Sequence, residues 1–512
     1  MNLLSEAWIP VRPLPVGSLE KISLRRLLCE NEKWELCLPR DDLELAALQM
    51  LICMAQVFFT PKDIGELKKR ITTPLSLEEY EAGCVPFKDW FRLDHPDYPF
   101  MQVRGVKAKD STPMDKILVG VTGSTNSCFV NEPKLGVYLC GGCAAIALFN
   151  QANNAPGFGG GFKGGLRGNA PVTTLVQGDH LRQTVWLNVL DDAHVKAELP
   201  WHRQTMGQAP TWVDPIKSGS SIKAQTIGLL RGLFWQPASI ELHSPEEKHH
   251  CSCCAFVEKK VYRGFNKAKF NYTITDLWPH PQGARITTIK RGIPESKFVS
   301  FTTSAPAWTQ LSRFVVQKEV EGKAGGQEPA AVIRQAQGIL RNLRLIVGGY
   351  RNNQASILDR RHETIFLNDG WSNKTGIIHD LVGKACGYRD ALNKALYVFS
   401  KGLKEAKGTG AKVKGAGISL QEKARERFYR RTEDTILDTL ANMDFANPAP
   451  ELAAMREKLH RTVTELFEDL VQPYLNDPEL VRTMAISRKT LYKHLKALKP
   501  QQDGRKDDGA KE

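Results

Sequence analysis

No stretch of these 512 residues is apolar for long enough to suit a lipid bilayer. The most apolar run, Leu43–Phe59, carries Glu44, Gln49 and Gln56 and follows Asp41 and Asp42. It falls short of the roughly 20 residues that a spanning helix needs, and reads instead as a capped, deeply buried helix. Met1–Leu14 has no basic start leading into an apolar run, so no secretory leader is expected there. Eleven cysteines, an odd number without a leader, argue for reduced thiols and a cytoplasmic protein. Histidines number only 12, and neither His-Glu-x-x-His nor Gly-x-Ser-x-Gly occurs, which removes two common hydrolase signatures. His379-Asp380 is a single pair, without the further His and Asp clusters of a metal phosphohydrolase, and reads as a helix-surface pair. Acidic residues are in deficit: 56 Asp and Glu against 70 Lys and Arg leave a net charge of +14. That excess points to nucleic acid or an anionic surface as the partner.

Residues 1–370 mix helices with short β-like runs broken by Gly and Pro. Candidate strands are Val172–Val176, Thr184–Leu190, Ser239–Leu242, Asn271–Ile274, Arg285–Ile289 and Lys297–Phe301. They are too irregularly spaced for a doubly wound parallel sheet, so the class is α+β with an irregular mixed α/β domain first. Residues 371–500 follow as a four-helix bundle built from Gly376–Lys401, Ser419–Asn442, Pro450–Tyr474 and Asp477–Leu498. Leu459, Val463, Leu466, Phe467 and Leu470 recur at the three- and four-residue spacing of one buried helix face. Lys401–Gly415, with five lysines among small residues, reads as a solvated linker or a flexible basic arm, and 501–512 as a disordered tail.

The densest signal is Gly157–Gly168, with seven glycines in twelve positions and Phe158, Phe162, Lys163 and Arg167 among them. Glycine tolerates positive φ and lets backbone approach a ligand, and exposed N–H groups beside fixed positive charge suit a polyanion. A P-loop needs Ser or Thr directly after its Gly-Lys, whereas here Lys163 precedes Gly164. The dinucleotide fingerprint is also missed, and the loop follows a predicted helix, Gly141–Ala152, rather than a strand. Binding of an extended nucleic acid therefore fits better than a nucleotide pocket.

Cys140-Gly-Gly-Cys143 and Cys251-Ser-Cys-Cys254 can each place two thiolates on one tetrahedral zinc ion, with Cys253, His249 and His250 as competing ligands. Neither pair sits in the βαβ context of a thioredoxin-like redox motif. Gly348–Ala355 reads as a polar turn or hairpin tip in which Arg351, Asn352, Asn353 and Gln354 offer groups able to engage base edges. Lys267 and Lys269 lie in a basic segment flanked by aromatic residues.

In this order the segments resemble the large subunit (CasA type) of the type I-E CRISPR Cascade surveillance complex. The resemblance runs from Met1 to about Pro500 and is carried by Trp8-Ile9-Pro10-Val11, Leu38-Pro39-Arg40-Asp41-Asp42, Asn150-Gln151-Ala152-Asn153 with the glycine loop, Leu233–Pro237, Leu277–Pro281, Phe301–Pro306 and Gly349–Leu358. It implies a subunit without enzymatic activity that reads a short protospacer-adjacent motif (PAM) on double-stranded DNA from the minor groove. Gly157, Phe158, Gly159 and Gly160 correspond to the family's glycine loop, Lys269 to a lysine finger, and Gln354 beside Asn353 to a wedge that opens the first base pair. Lys163, Arg167 and Arg351 then become supporting charges. Asn126, Phe129 and Asn131 match a loop near the crRNA handle, and Cys140, Cys143, Cys251 and Cys254 match the family's zinc ligands. The implied partners are target DNA, crRNA, other Cascade subunits and a recruited helicase-nuclease. Two alternatives stand beside this reading: an assembly subunit that holds nucleic acid without reading it, and a metal-dependent nuclease whose carboxylates meet only in the fold.

Overall fold

The helix Asp41–Phe58 is buried along most of its length. Asp41, Asp42 and Glu44 occupy its first turn, where carboxylates complement the exposed N–H groups and the helix dipole. A helix that is apolar almost all round belongs at the centre of a large core, and this one packs against a second buried helix, Gly141–Asn153. The computed structural model describes residues 1–121, 136–321, 324–406 and 419–498. The candidate residues Asn126, Phe129 and Asn131, most of the basic segment after Lys404, and the tail 501–512 lie outside the described residues.

The chain divides into two compact units, Met1–Ser304 with Arg313–Ile365, and Ala305–Ser312 with Phe366–Glu512. The first is an α+β arrangement of small sheets, none wider than three strands among the described residues. Three of these matter for the site. Val257–Tyr262 pairs with both Leu139–Cys140 and Glu246–His250, bringing the two cysteine motifs to one place. Gly264–Ala268 pairs with Ser239–Leu242 and Thr112–Pro113. Leu343–Asn353 lies between Thr173–Val176 and Ser356–Leu367 and forms a long hairpin with the latter.

Thr184–Leu190 is not a strand. The segment folds as the helix Leu181–Leu187, whose first turn is capped by His180 accepting from the Gln183 N–H at 3.3 Å. Val185 and Trp186 are fully buried, and this cap and burial outweigh the β preference of those side chains. The predicted strand Lys297–Phe301 runs instead over Ile293–Phe298, set by its antiparallel register with Arg285–Lys290.

In the second unit Thr375–Ala406 packs against each of Leu420–Asn442, Ala449–Val471 and Val481–Lys496, giving a four-helix bundle. Ser419 and Glu422 form a reciprocal capping box at the start of the second helix. Met455, Leu459, Val463, Leu466, Phe467 and Leu470 are all buried on the third. Ala305–Ser312 joins this unit although it lies far upstream of the helices, with Trp308 fully buried and edge-on to Tyr429. His379 belongs here too and meets the Ser312 hydroxyl at 2.8 Å. Among the described residues no helix is long and apolar enough to cross a membrane.

Candidate nucleic-acid interface and metal centre

Cys140 caps the helix Gly141–Asn153, and its sulfur accepts from the Cys143 N–H at 3.5 Å. The second pair follows the strand Glu246–His250 in a tight turn before Val257–Tyr262. The two turns meet so that the sulfurs of Cys140, Cys143, Cys251 and Cys254 all lie within 4.8 Å of one another, and all four residues are buried. Cys140 and Cys254 sulfurs are 3.7 Å apart, and the Cys140 N–H donates to Cys251 Sγ at 3.3 Å. Hydrogen bonding from Cys143 draws the Cys140 thiol down to about 7, and bonds from Cys140, Cys143 and Cys254 hold Cys251 far below the ordinary thiol range.

Four buried, converging sulfurs, with Cys140 and Cys251 drawn toward thiolate by their neighbours, suit a closed tetrahedral metal site. Of the competing ligands, His249 is stacked on Tyr138 with ring centroids 4.4 Å apart, and His250 Nδ1 faces the Ala255 carbonyl at 3.3 Å. Cys253 is buried but is not one of the four. Sequence reasoning missed Lys21, whose ammonium donates to Cys140 Sγ at 3.1 Å and pairs with Glu258. Burial opposes the charge on Lys21, yet the nearby thiols and Glu258 raise its pKa above the ordinary value. An ammonium at this position would balance negative charge on the cluster if the four sulfurs held a metal ion as thiolates. No local pattern around Lys21 marks this, since its partner is 119 positions away.

From the four-cysteine cluster the buried helix leads directly to the glycine loop. Gly159, Gly160 and Gly161 have φ values of 83°, 54° and 90°, a left-handed run that other residues enter at a cost of about 1–2 kcal/mol each. Gly160 is exposed, and a Cβ added there would meet nothing, so bare backbone faces outward. Lys269 is exposed and donates to the Gly160 carbonyl at 2.8 Å. Phe158 turns inward: it is half-buried, edge-on to Phe162 at 5.5 Å and beneath the Lys267 ammonium at 4.6 Å. It supports the loop and leaves the outer surface to main chain.

The hairpin completes this face. Gly348 and Gly349 allow its first strand to lie against Leu45 and Pro171, where a Cβ would come within 2.4 and 2.8 Å. At the tip Asn353, Gln354 and Ala355 are exposed. Gln354 has a φ of 53°, and the Asn352 side-chain amide donates to its backbone carbonyl at 2.6 Å. A Cβ on Gly159 would sit 3.4 Å from Ala355 Cβ, so glycine loop and hairpin tip are in contact range. Glycine loop, lysine and glutamine, scattered over some 200 positions, thus form one contiguous surface.

The supporting charges divide. Lys163 is exposed, with its ammonium 5.9 Å from the Tyr272 ring, and lines a groove of about 850 Å³ shared with Tyr272 and Lys297. Arg351 is half-buried and pairs back with Asp359 of the hairpin's own second strand at 3.8 Å. Arg167 is not a surface charge: it is 5% exposed and donates inward to Asn154 Oδ1 at 2.6 Å, Thr173 Oγ1 at 3.0 Å and the Asn153 carbonyl at 3.3 Å. Burial lowers its pKa from the usual guanidinium value. The acceptors at the end of the buried helix draw it under the loop, so its work is structural.

Residues 2–466 match the family described as CRISPR-associated protein Cse1, and the chain belongs to that family. A curated relative, CRISPR-associated protein CasA/Cse1 of Thermus thermophilus, is 24% identical over 267 residues, covering 47% of this chain and 48% of the relative, so the match spans about half of that protein's length. The solved structure of Thermobifida fusca Cse1 superposes with a TM-score of 0.70 at 18% identity, covering 97% of this chain and 98% of that one. Thermus thermophilus CasA (Cse1) gives 0.69 at 16% identity, with 96% and 99% covered. A chain of a structure titled CRISPR RNA-guided surveillance complex gives 0.66 at 14% identity, again with 96% and 99% covered. These likenesses establish a shared fold.

Proposed function

We propose that this chain is the non-catalytic DNA-reading subunit of a crRNA-guided surveillance complex. One observation carries the reading: the bare backbone of Gly159–Gly161, the ammonium of Lys269 and the tip residue Gln354 share a single exposed face. The minor groove is narrow and offers chiefly N3 and O2 acceptors, with the guanine N2 amino group as its one donor. A side-chain-free backbone enters it and sorts base pairs by shape, while Lys269 leaves the Gly160 carbonyl to donate to a base acceptor. Gln354 then enters the stack beside the motif and separates the first base pair, with Asn353 next to it stabilising the parted ends. Guide pairing carries the rest of the sequence specificity, so the protein needs to read only a few base pairs.

Cys140, Cys143, Cys251 and Cys254 would hold a structural zinc ion, which stiffens the start of the helix that carries the glycine loop. The likeness to a chain of an RNA-guided complex supports crRNA and further subunits as partners, and the net charge of +14 supports DNA. Recruitment of a helicase-nuclease follows from the family resemblance and is part of the same proposal. The test is binding of the reconstituted complex to duplexes with a randomised motif. Enrichment of a few motif variants supports reading. Tight binding without enrichment makes the chain an assembly subunit, and cleavage of DNA by the isolated chain with Mg²⁺ makes it a nuclease.

A further inference from the structure

The segments of the reading face are remote in sequence, yet their bases share one buried cluster. Tyr350 lies on the hairpin's first strand, four residues before Gln354, and is 1% exposed. Its ring packs with Val119, Ala155 and Ala170, and Ile357 of the returning strand joins them. Ala155 and Ala170 flank the glycine loop on its two sides. The same tyrosine is the middle of a buried polar chain. Its hydroxyl accepts from Asn150 Nδ2 at 2.7 Å and donates to Asp42 Oδ2 at 2.7 Å.

Asp42 is held in turn by Arg40 through bonds of 2.9 and 2.7 Å, and Arg40 also donates to the Val119 carbonyl. In the other direction Asn154 donates to Asn150 Oδ1 at 3.1 Å, and Arg167 donates to Asn154 Oδ1 at 2.6 Å. Asn154 precedes the glycine loop and Arg167 stands at its far end, so the chain of bonds runs from the hairpin strand to both roots of the loop. A buried hydroxyl with one donor and one acceptor satisfied has a fixed orientation, and networks of this kind act as a unit.

We propose that Tyr350 is a positioning residue that locks the Gln354 hairpin and the glycine loop into one rigid reader. The backbone ladder with Thr173–Val176 holds the strand as far as Gly348, and beyond that point two directional bonds at Tyr350 set the height of the strand against the loop. Phenylalanine fills the same apolar space but leaves Asn150 and Asp42 each short of a partner. The proposal rests on the DNA-reading function, and the first part of its test does not.

Hydrogen–deuterium exchange of the full chain with Tyr350→Phe should accelerate by about tenfold in Gly157–Gly161 and in Asn353–Ser356 together, with the four bundle helices unchanged. Asn150→Ser breaks the same bond from its other end, should give the same joint response, and replaces Tyr350→Phe if that variant does not fold. Acceleration of only one segment, or of neither, overturns the proposal. In the reconstituted complex Tyr350→Phe should slow duplex opening by about tenfold, with no further loss when Gln354→Ala is already present. Additive losses overturn it as well. Should Gln354→Ala alone leave opening unchanged, the DNA-reading function fails, and the exchange result still decides the role of Tyr350.

Discussion

Gln354→Gly separates the chemistry of the hairpin tip from its backbone. The residue sits at φ 53°, where an L-residue lies about 1–2 kcal/mol above its relaxed conformation. Glycine removes that cost, while its greater freedom in the unfolded chain returns about 0.4–1 kcal/mol of destabilisation. The Asn352 amide holds the backbone carbonyl of Gln354, a contact that survives loss of the side chain. The net change in stability is therefore between about zero and 1.6 kcal/mol in favour of glycine, a shift of no more than about 2 °C in a thermal melt of a unit this size. Function should respond differently. A base-pair step is held by about 1.4 kcal/mol of stacking, so a wedge that offsets one step accelerates opening by about tenfold. The assay is stopped-flow fluorescence of a base analogue next to the motif, in duplex mixed with the reconstituted complex. Gln354→Gly should melt like the wild type and open DNA about tenfold more slowly. Gln354→Ala keeps the strained φ and loses the same carboxamide, so it should slow opening to the same degree. Wild-type opening by either variant refutes the wedge, and a large gap between the two shows that backbone shape, not the carboxamide, does the separating.

Lys269→Ala should lower affinity for motif-bearing duplex by roughly tenfold and leave other duplexes nearly unchanged in a binding titration; an equal loss on all sequences would make Lys269 a phosphate contact. Elemental analysis should find one zinc per chain, lost in Cys143→Ser with destabilisation on the order of 4 kcal/mol and retained in Cys253→Ser, whose sulfur lies outside the four; metal-free folded wild type would reject the site. His280 is fully buried, with Nδ1 accepting from the Gln282 N–H at 3.2 Å, and burial and the nearby Arg167 hold its pKa well below the ordinary value. The unfolded chain therefore takes up a proton near pH 6.5 that the folded chain refuses, so stability is full above that pH and falls on acidification by up to about 1.4 kcal/mol per pH unit. His280→Asn should flatten that slope in urea titrations between pH 7 and 5, and an unchanged slope would assign it to other groups.

The bundle was readable because its helices repeat at 3.6 residues: Leu459, Val463, Leu466 and Phe467 are all buried as that period requires. The cysteine centre was readable because two short spacings survive in the linear chain whatever lies between them. Thr184–Leu190 misled because its composition favours strand, while the deciding signal was one capping side chain before it, His180. Arg167 misled for another reason. A cation among exposed glycines looks solvent-facing, and only the folding-back of the loop, which sets Arg167 against Thr173, Asn153 and Asn154, turns it inward. Tyr350 left no trace at all, since its two partners lie 200 and 308 positions away and no local periodicity encodes such a meeting.

The reach between the cysteine turns sets an order of events during synthesis. Cys251 lies 111 positions after Cys140. At about 5–20 residues per second, the ribosome adds it roughly 6–22 s later. Through that interval the buried helix and glycine loop exist as nascent chain without the half of the cage that fixes them, and a metal ion can be held by only one pair of sulfurs. The glycine loop is thus translated before the second cysteine pair that steadies its helix, and under the proposed zinc site its folding in the cell would depend on timely metal supply.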